Sequence, residues 1–133
     1  MIFIDTGAFL ARYIPSDKFH AKALKVWKDL QKQRREFWTS NFVLDETITL
    51  LQRKTHPEFA LERAKNIYSS TSLKILRPDL AEELKALELL SKYKDQSLSF
   101  TDCVSFALMK KYRIQTAFTF DKHFQIAGFE ILS

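Results

Sequence analysis

The sequence predicts an α/β fold, a mostly parallel central sheet of four to five strands sandwiched between helices. Three observations lead there. Short apolar runs of strand length alternate with longer stretches of helical periodicity along the whole chain. Gly occurs twice and Pro three times in 133 residues, which leaves little room for long loops. The hydrophobic fraction is 46% and aromatics make up 14%, enough apolar material for a sizeable core in one domain spanning residues 1–133.

Residues 1–5 read as a short buried strand, and an apolar helix follows from about Gly7 to Tyr13. Over 17–32, Phe19, Ala23, Val26, Trp27 and Leu30 recur at helical spacing, with Lys22, Lys25, Lys28 and Lys32 on the other side as a solvated face. EFWTS at 36–40 reads as a strand with a polar stop, and residues 41–54 as a helix. Pro57 suits the first turn of the next helix, which runs to about Tyr68. LKIL at 73–76 is a third strand. Asp79 and Glu82 have capping-box spacing ahead of Leu80, Leu84, Leu87 and Leu90. Residues 100–112 are apolar nearly all round and read as a buried helix. TAFTF at 116–120 is a fourth strand and FEIL at 129–132 a fifth.

Composition narrows the function classes. The formal charge of +5 favours an acidic partner such as nucleic acid. The single cysteine, Cys103, cannot form an intramolecular disulfide, so a reducing, cytoplasmic setting is expected. The first stretch is too short and too interrupted by Asp5 and Arg12 to be a membrane span or signal peptide. No glycine-rich phosphate loop is present, nor a zinc-type spacing of His20, His56, His123 and Cys103, nor a Ser-His-Asp motif.

What remains is a set of carboxylates. In parallel α/β sheets ligands bind outside the carboxyl ends of the strands. Asp5 and Asp121 each follow a strand-like run directly. Each of these acids also has an ordinary explanation: Asp5 and Asp121 as helix caps, and Asp102 as the partner of Ser99 in an S-x-x-D capping pair. Glu46 is harder to explain that way. It borders the apolar stripe of its helix, between Phe42 and Val43 on one turn and Leu50 on the next, whereas Asp45 points toward solvent. A carboxylate in such a place costs free energy unless it is paired or binds a cation. Converging acids without His or Cys favour Mg²⁺ or Mn²⁺.

The stretches MIFIDTGAFLA, SNFVLDETITLL, LSFTDCVSFALM and AFTFDKHF, in this order and spacing, resemble the PIN-domain ribonucleases, in particular their VapC-type toxin branch. The resemblance spans Asp5 to Phe124. It implies an α/β/α sandwich and a Mg²⁺- or Mn²⁺-dependent endoribonuclease that cuts single-stranded or loop RNA. The family's four acids fall on Asp5, Glu46, Asp102 and Asp121. Its small hydroxyl positions fall on Thr6 and Thr119, and the serine before its third acid falls on Ser99. Asp95 lies near a further acidic position of many members. The resemblance also implies a homodimer and a cognate antitoxin partner. Two other readings stand beside it: a Mg²⁺-dependent phosphatase or phospho-acceptor with Asp5 as nucleophile, and a non-catalytic RNA-binding module whose acids are caps and surface pairs.

Overall fold

The structure is a computed structural model that describes residues 1–133. Five strands are present: β1 (Ile2–Ile4), β2 (Phe37–Ser40), β3 (Leu73–Leu76), β4 (Thr116–Phe118) and β5 (Glu130–Leu132). The helices are α1 (Thr6–Tyr13), α2 (His20–Lys32), α3 (Asn41–Lys54), α4 (Pro57–Ser69), α5 (Leu80–Lys92), α6 (Phe100–Lys111) and α7 (His123–Ile126).

The strands form one sheet in the order β3-β2-β1-β4-β5, and every pairing is parallel. The chain therefore builds outward from β1 to β3, then crosses back to β4. With right-handed crossovers, α1–α4 cover one face and α5–α7 the other. The packing of α1 on α2 and α3, of α3 on α4, and of α5 on α6 agrees with that division. The strand order reverses between β1 and β4, which makes the crevice at their carboxyl ends the expected ligand site.

The core shows why the apolar runs became these elements. Ile2, Phe3 and Ile4 are wholly buried, as a central parallel strand requires. Trp27 of α2 packs its ring against Phe9, Phe37 and Phe118, with centroids 5.9, 5.5 and 5.2 Å away. α6 buries seven consecutive residues from Cys103 to Met109. The Asp79–Glu82 capping box is formed at the start of α5.

Several boundaries differ from the sequence reading. α2 begins at His20 rather than at 17, because the Asp17 carboxylate accepts from the Phe19 amide at 2.8 Å and holds a turn there. β4 stops at Phe118 rather than at 120, where the Thr119 side chain takes over the Asp121 amide. α7 and a 3-10 turn at Lys94–Gln96 are additional. They are too short to give a periodic signal. On α5, Ala86 and Leu89 face inward, while Leu80, Leu84 and Leu87 are 68%, 52% and 51% exposed. No helix is long and apolar enough to cross a membrane.

Candidate functional site

The parallel register pairs Ile4 with Phe118, so the residues that follow, Asp5 and Thr119, meet at the point where the strand order reverses. The Asp5 amide donates to the Phe118 carbonyl at 3.1 Å. The Thr119 hydroxyl donates to Asp5 Oδ2 at 2.8 Å and accepts from the Asp121 amide at 3.0 Å. One threonine thus ties the ends of two neighbouring strands together and fixes the rotamer of Asp5.

Asp5 holds the N-cap position of α1, yet its side chain makes no cap hydrogen bond. The carboxylate is 5% exposed, and its Oδ1 is buried without a partner. The Thr6 and Thr47 hydroxyls are also buried without a hydrogen-bond partner. Buried polar atoms are normally satisfied, so the orphaned oxygen of Asp5 marks a place where a ligand is expected.

Asp5, Glu46, Asp102 and Asp121 line a single cavity of about 430 Å³, together with Thr6 and Ser99. Glu46 reaches it from α3, partly buried, while its neighbour Asp45 is exposed. Asp102 reaches it from the first turn of α6. The Ser99 amide donates to Asp102 Oδ2 at 3.1 Å, and the Asp102 amide donates to Ser99 Oγ at 3.0 Å. The capping pair read from the sequence is therefore formed, and it engages one carboxylate oxygen of Asp102. Asp121 likewise accepts the His123 amide on Oδ1 at 2.9 Å. The His123 ring nitrogen Nδ1 stands 2.7 Å from the same oxygen but outside hydrogen-bond geometry. Asp95 lies on the exposed 3-10 turn and does not line the cavity.

No ion pair within 4.0 Å joins a Lys or Arg to any of the four acids. Uncompensated charge has the expected consequence. Burial, and then the charge of Asp102, push the Asp5 carboxyl from 3.8 to about 7, against the Thr119 hydroxyl and the adjacent Thr6 amide and with Glu46 adding to the rise. Burial also raises Asp102, against the hydrogen bonds from Ser99 and with Asp121 and Glu46 adding to the rise.

The donor set consists of hard carboxylate and hydroxyl oxygens with one buried orphan, and it fits a divalent Mg²⁺- or Mn²⁺-type ion. The acids face a common space without closing on it: no three His, Cys, Asp or Glu side chains form a ready-made coordination group.

Among the residues that line the same cavity and that sequence reasoning passed over are Asp17, Lys18, Phe19 and Phe120. Phe19 counted as one apolar residue of a helix stripe, and Phe120 as the end of a strand. Their meeting, with rings stacked 4.4 Å apart and 1° from parallel, joins positions a hundred residues apart and leaves no local signal.

Comparison with known proteins adds five findings. The PIN domain family model matches residues 2–130. The chain is 36% identical over 129 residues to the 23S rRNA-specific endonuclease VapC20 of Mycobacterium tuberculosis, covering 97% of this chain and 95% of that protein. It superposes on the crystal structure of that Sarcin-Ricin loop cleaving toxin with a TM-score of 0.88 at 34% identity, covering 97% and 96% of the two chains. It is 28% identical over 125 residues to a VapC ribonuclease of Archaeoglobus fulgidus, covering 92% of this chain and 78% of the relative. A DNA-bound VapBC structure from Salmonella typhimurium shares the fold, with a TM-score of 0.70 at 16% identity and coverage of 99% and 98%.

Proposed function

Since the chain belongs to the PIN domain family, we propose that it is an endoribonuclease that hydrolyses single-stranded or loop RNA with the help of Mg²⁺ or Mn²⁺, and that it is the toxin of a toxin–antitoxin pair. The observation that carries this reading is the buried, unpartnered Oδ1 of Asp5 in a cavity shared with Glu46, Asp102 and Asp121, none of them ion-paired to a Lys or Arg. The 36% identity to an rRNA-cleaving VapC relative supports it.

In this reading Asp5, Glu46, Asp102 and Asp121 hold the ion. When bound, such an ion supplies charge neutralisation at the scissile phosphoryl group and lowers the pKa of an attacking water. The chain's own residues do the positioning. Thr119 fixes Asp5 through Oδ2 and leaves Oδ1 free for a ligand. Ser99 does the same for Asp102 through Oδ2. Asp121 is held by its hydrogen bond from the His123 amide, and the unpartnered Thr6 hydroxyl is available to orient a ligand or water. Restraining these side chains before the ligand arrives reduces the reorganisation needed at reaction.

Residues 1–133 act as a single domain in the cytoplasm. The exposed stripe of Leu80, Leu84 and Leu87 on α5 supports association into a homodimer. A cavity of about 190 Å³ lined by Phe9, Arg12, Tyr13, Trp27 and Leu73 supports docking of an antitoxin segment among the N-terminal helices.

The test is cleavage of a sarcin–ricin loop hairpin, and of total cellular RNA, by the wild type and by Asp5→Ala, Asp102→Ala and Asp45→Asn. Circular dichroism reports folding. Internal cuts that need a divalent ion, stop in EDTA, vanish in the first two variants and persist in Asp45→Asn are expected. A folded Asp5→Ala protein that cuts at the wild-type rate, or cleavage indifferent to EDTA, would overturn the reading.

A further inference from the structure

The acid cavity does not end at the acids. Phe19 and Phe120 line it on one side, and the same two residues line a second cavity of about 320 Å³ that also carries Lys22, Lys122, Thr119 and Gln125. The stacked rings are therefore a ridge between a mainly acidic cavity and a basic one. One is lined by five carboxylates, those of Asp5, Asp17, Glu46, Asp102 and Asp121, with Lys18 the one base among them. The other is lined by two exposed lysines and by no acidic side chain. Thr119 belongs to both environments, since its hydroxyl holds Asp5 while the residue lines the second cavity. Both rings are only partly buried, although Phe side chains of this size are ordinarily placed inside.

We infer that this ridge and the cavity behind it form a nucleotide subsite: the base next to the scissile phosphodiester packs on the Phe19–Phe120 pair, and the phosphate beyond it is held by Lys22 and Lys122. The inference rests on the ribonuclease reading for its substrate, but its geometry comes from a different set of residues. Three features point to an RNA strand. An aromatic surface accepts any base through its π face. Paired lysines next to it match the alternation of base and phosphate along a strand. Continuity with the acid cavity sets the order, because a strand lying across the ridge presents one phosphate to each side. The lysines also offset the repulsion that the acids exert on an approaching polyanion.

The experiment separates the subsite from the activity. Binding of a fluorescein-labelled RNA hairpin is followed by anisotropy in an Asp5→Asn background, where RNA is not turned over. Lys22→Ala with Lys122→Ala is compared with Lys25→Ala with Lys28→Ala, which removes equal charge from exposed positions of α2 outside both cavities. The first pair should weaken binding about tenfold and make the slope of log Kd against log salt shallower by about 0.7 for each phosphate that is no longer neutralised. The second pair should leave both nearly unchanged. Phe120→Leu keeps apolar bulk and removes the ring. An abasic residue at one position flanking the cleavage site should weaken binding to the parent about tenfold and to Phe120→Leu less than about twofold. With Asp5 restored, Lys22→Ala with Lys122→Ala, and Phe120→Leu, should raise KM with kcat preserved, and Lys25→Ala with Lys28→Ala should change neither. Equal effects of the two lysine pairs, or an abasic penalty unchanged by Phe120→Leu, would overturn the subsite. An absence of cleavage by wild type counts against the ribonuclease reading alone, because the binding measurements still decide the subsite.

Discussion

Replacing Asp5 by Asn should stabilise the ion-free protein at neutral and alkaline pH, although it removes a residue of the proposed site. The side chains are nearly isosteric, and the Asn carbonyl still accepts the 2.8 Å hydrogen bond from Thr119. What disappears is the need to ionise a buried acid beside other acids. The Asp5 carboxyl rises from 3.8 to about 7, chiefly because it is buried. A raised carboxyl pKa means that the folded chain binds more protons than the unfolded chain between those two values. The stability it contributes is present at acid pH and is lost as pH rises through about 7. At 1.36 kcal/mol per pH unit, the loss is on the order of 4 kcal/mol once the group is ionised in both states. That is a large share of the ~5–15 kcal/mol that holds a typical domain folded. Urea unfolding in EDTA, at several values between about pH 5 and about pH 8, measures it for both proteins. The advantage of Asp5→Asn should grow with pH up to about 7, level off above it, and reach a few kcal/mol at the alkaline end. Groups that titrate alike in both proteins cancel in the difference. A parallel pH dependence, or an Asn protein that is less stable at about pH 8, would refute the account of Asp5 as a buried and unneutralised acid.

Saturating Mg²⁺ or Mn²⁺ should raise the melting temperature of the wild type, by about 2.7 kcal/mol of stability at a hundredfold excess over Kd. An Asp5→Asn, Asp102→Asn protein should lose most of that response in the same thermal scan. Thr119→Val should cost about 1 kcal/mol in urea unfolding by deleting one hydrogen bond and the acceptor of the Asp121 amide, and should lower kcat more than KM if the hydroxyl positions Asp5. Arg113 sits in the left-handed region (φ 56°) at the end of α6, so Arg113→Gly should stabilise the protein by about 0.5–1 kcal/mol in the same assay; no change would mean that the Arg side chain compensates elsewhere.

The fold class was legible because α/β architecture is written in local periodicity. The strand-length runs at 2–4, 37–40 and 73–76 and the helical stripe containing Ala23, Trp27 and Leu30 each carry their own signal. The Asp79–Glu82 and Ser99–Asp102 capping boxes were equally local, and both formed. The identities of Asp5, Glu46, Asp102 and Asp121 as candidates came from their places at strand ends, at a helix start and beside an apolar stripe, together with four stretches in a known order. Where local signals compete, the reading stopped short. Capping and ligand binding ask for the same residue types, and only the fold separates them. Asp5 proved not to cap, while Asp102 and Asp121 engage backbone amides through one oxygen each.

Tertiary structure alone decided the strand order, and with it the reversal between β1 and β4 that brings Asp5 to Thr119 across 114 positions of sequence. It decided that Leu80, Leu84 and Leu87 face outward while Ala86 and Leu89 turn in. It also decided that Phe19 and Phe120 stack between two cavities. The physical reason is common to all three. Periodicity reports how a segment relates to its own next turn, whereas register, crossover direction and the raised pKa of a buried acid depend on which distant segments exclude water from it. Those are properties of the packed chain, fixed by burial and the pairing of backbone groups, and no local window of the sequence contains them.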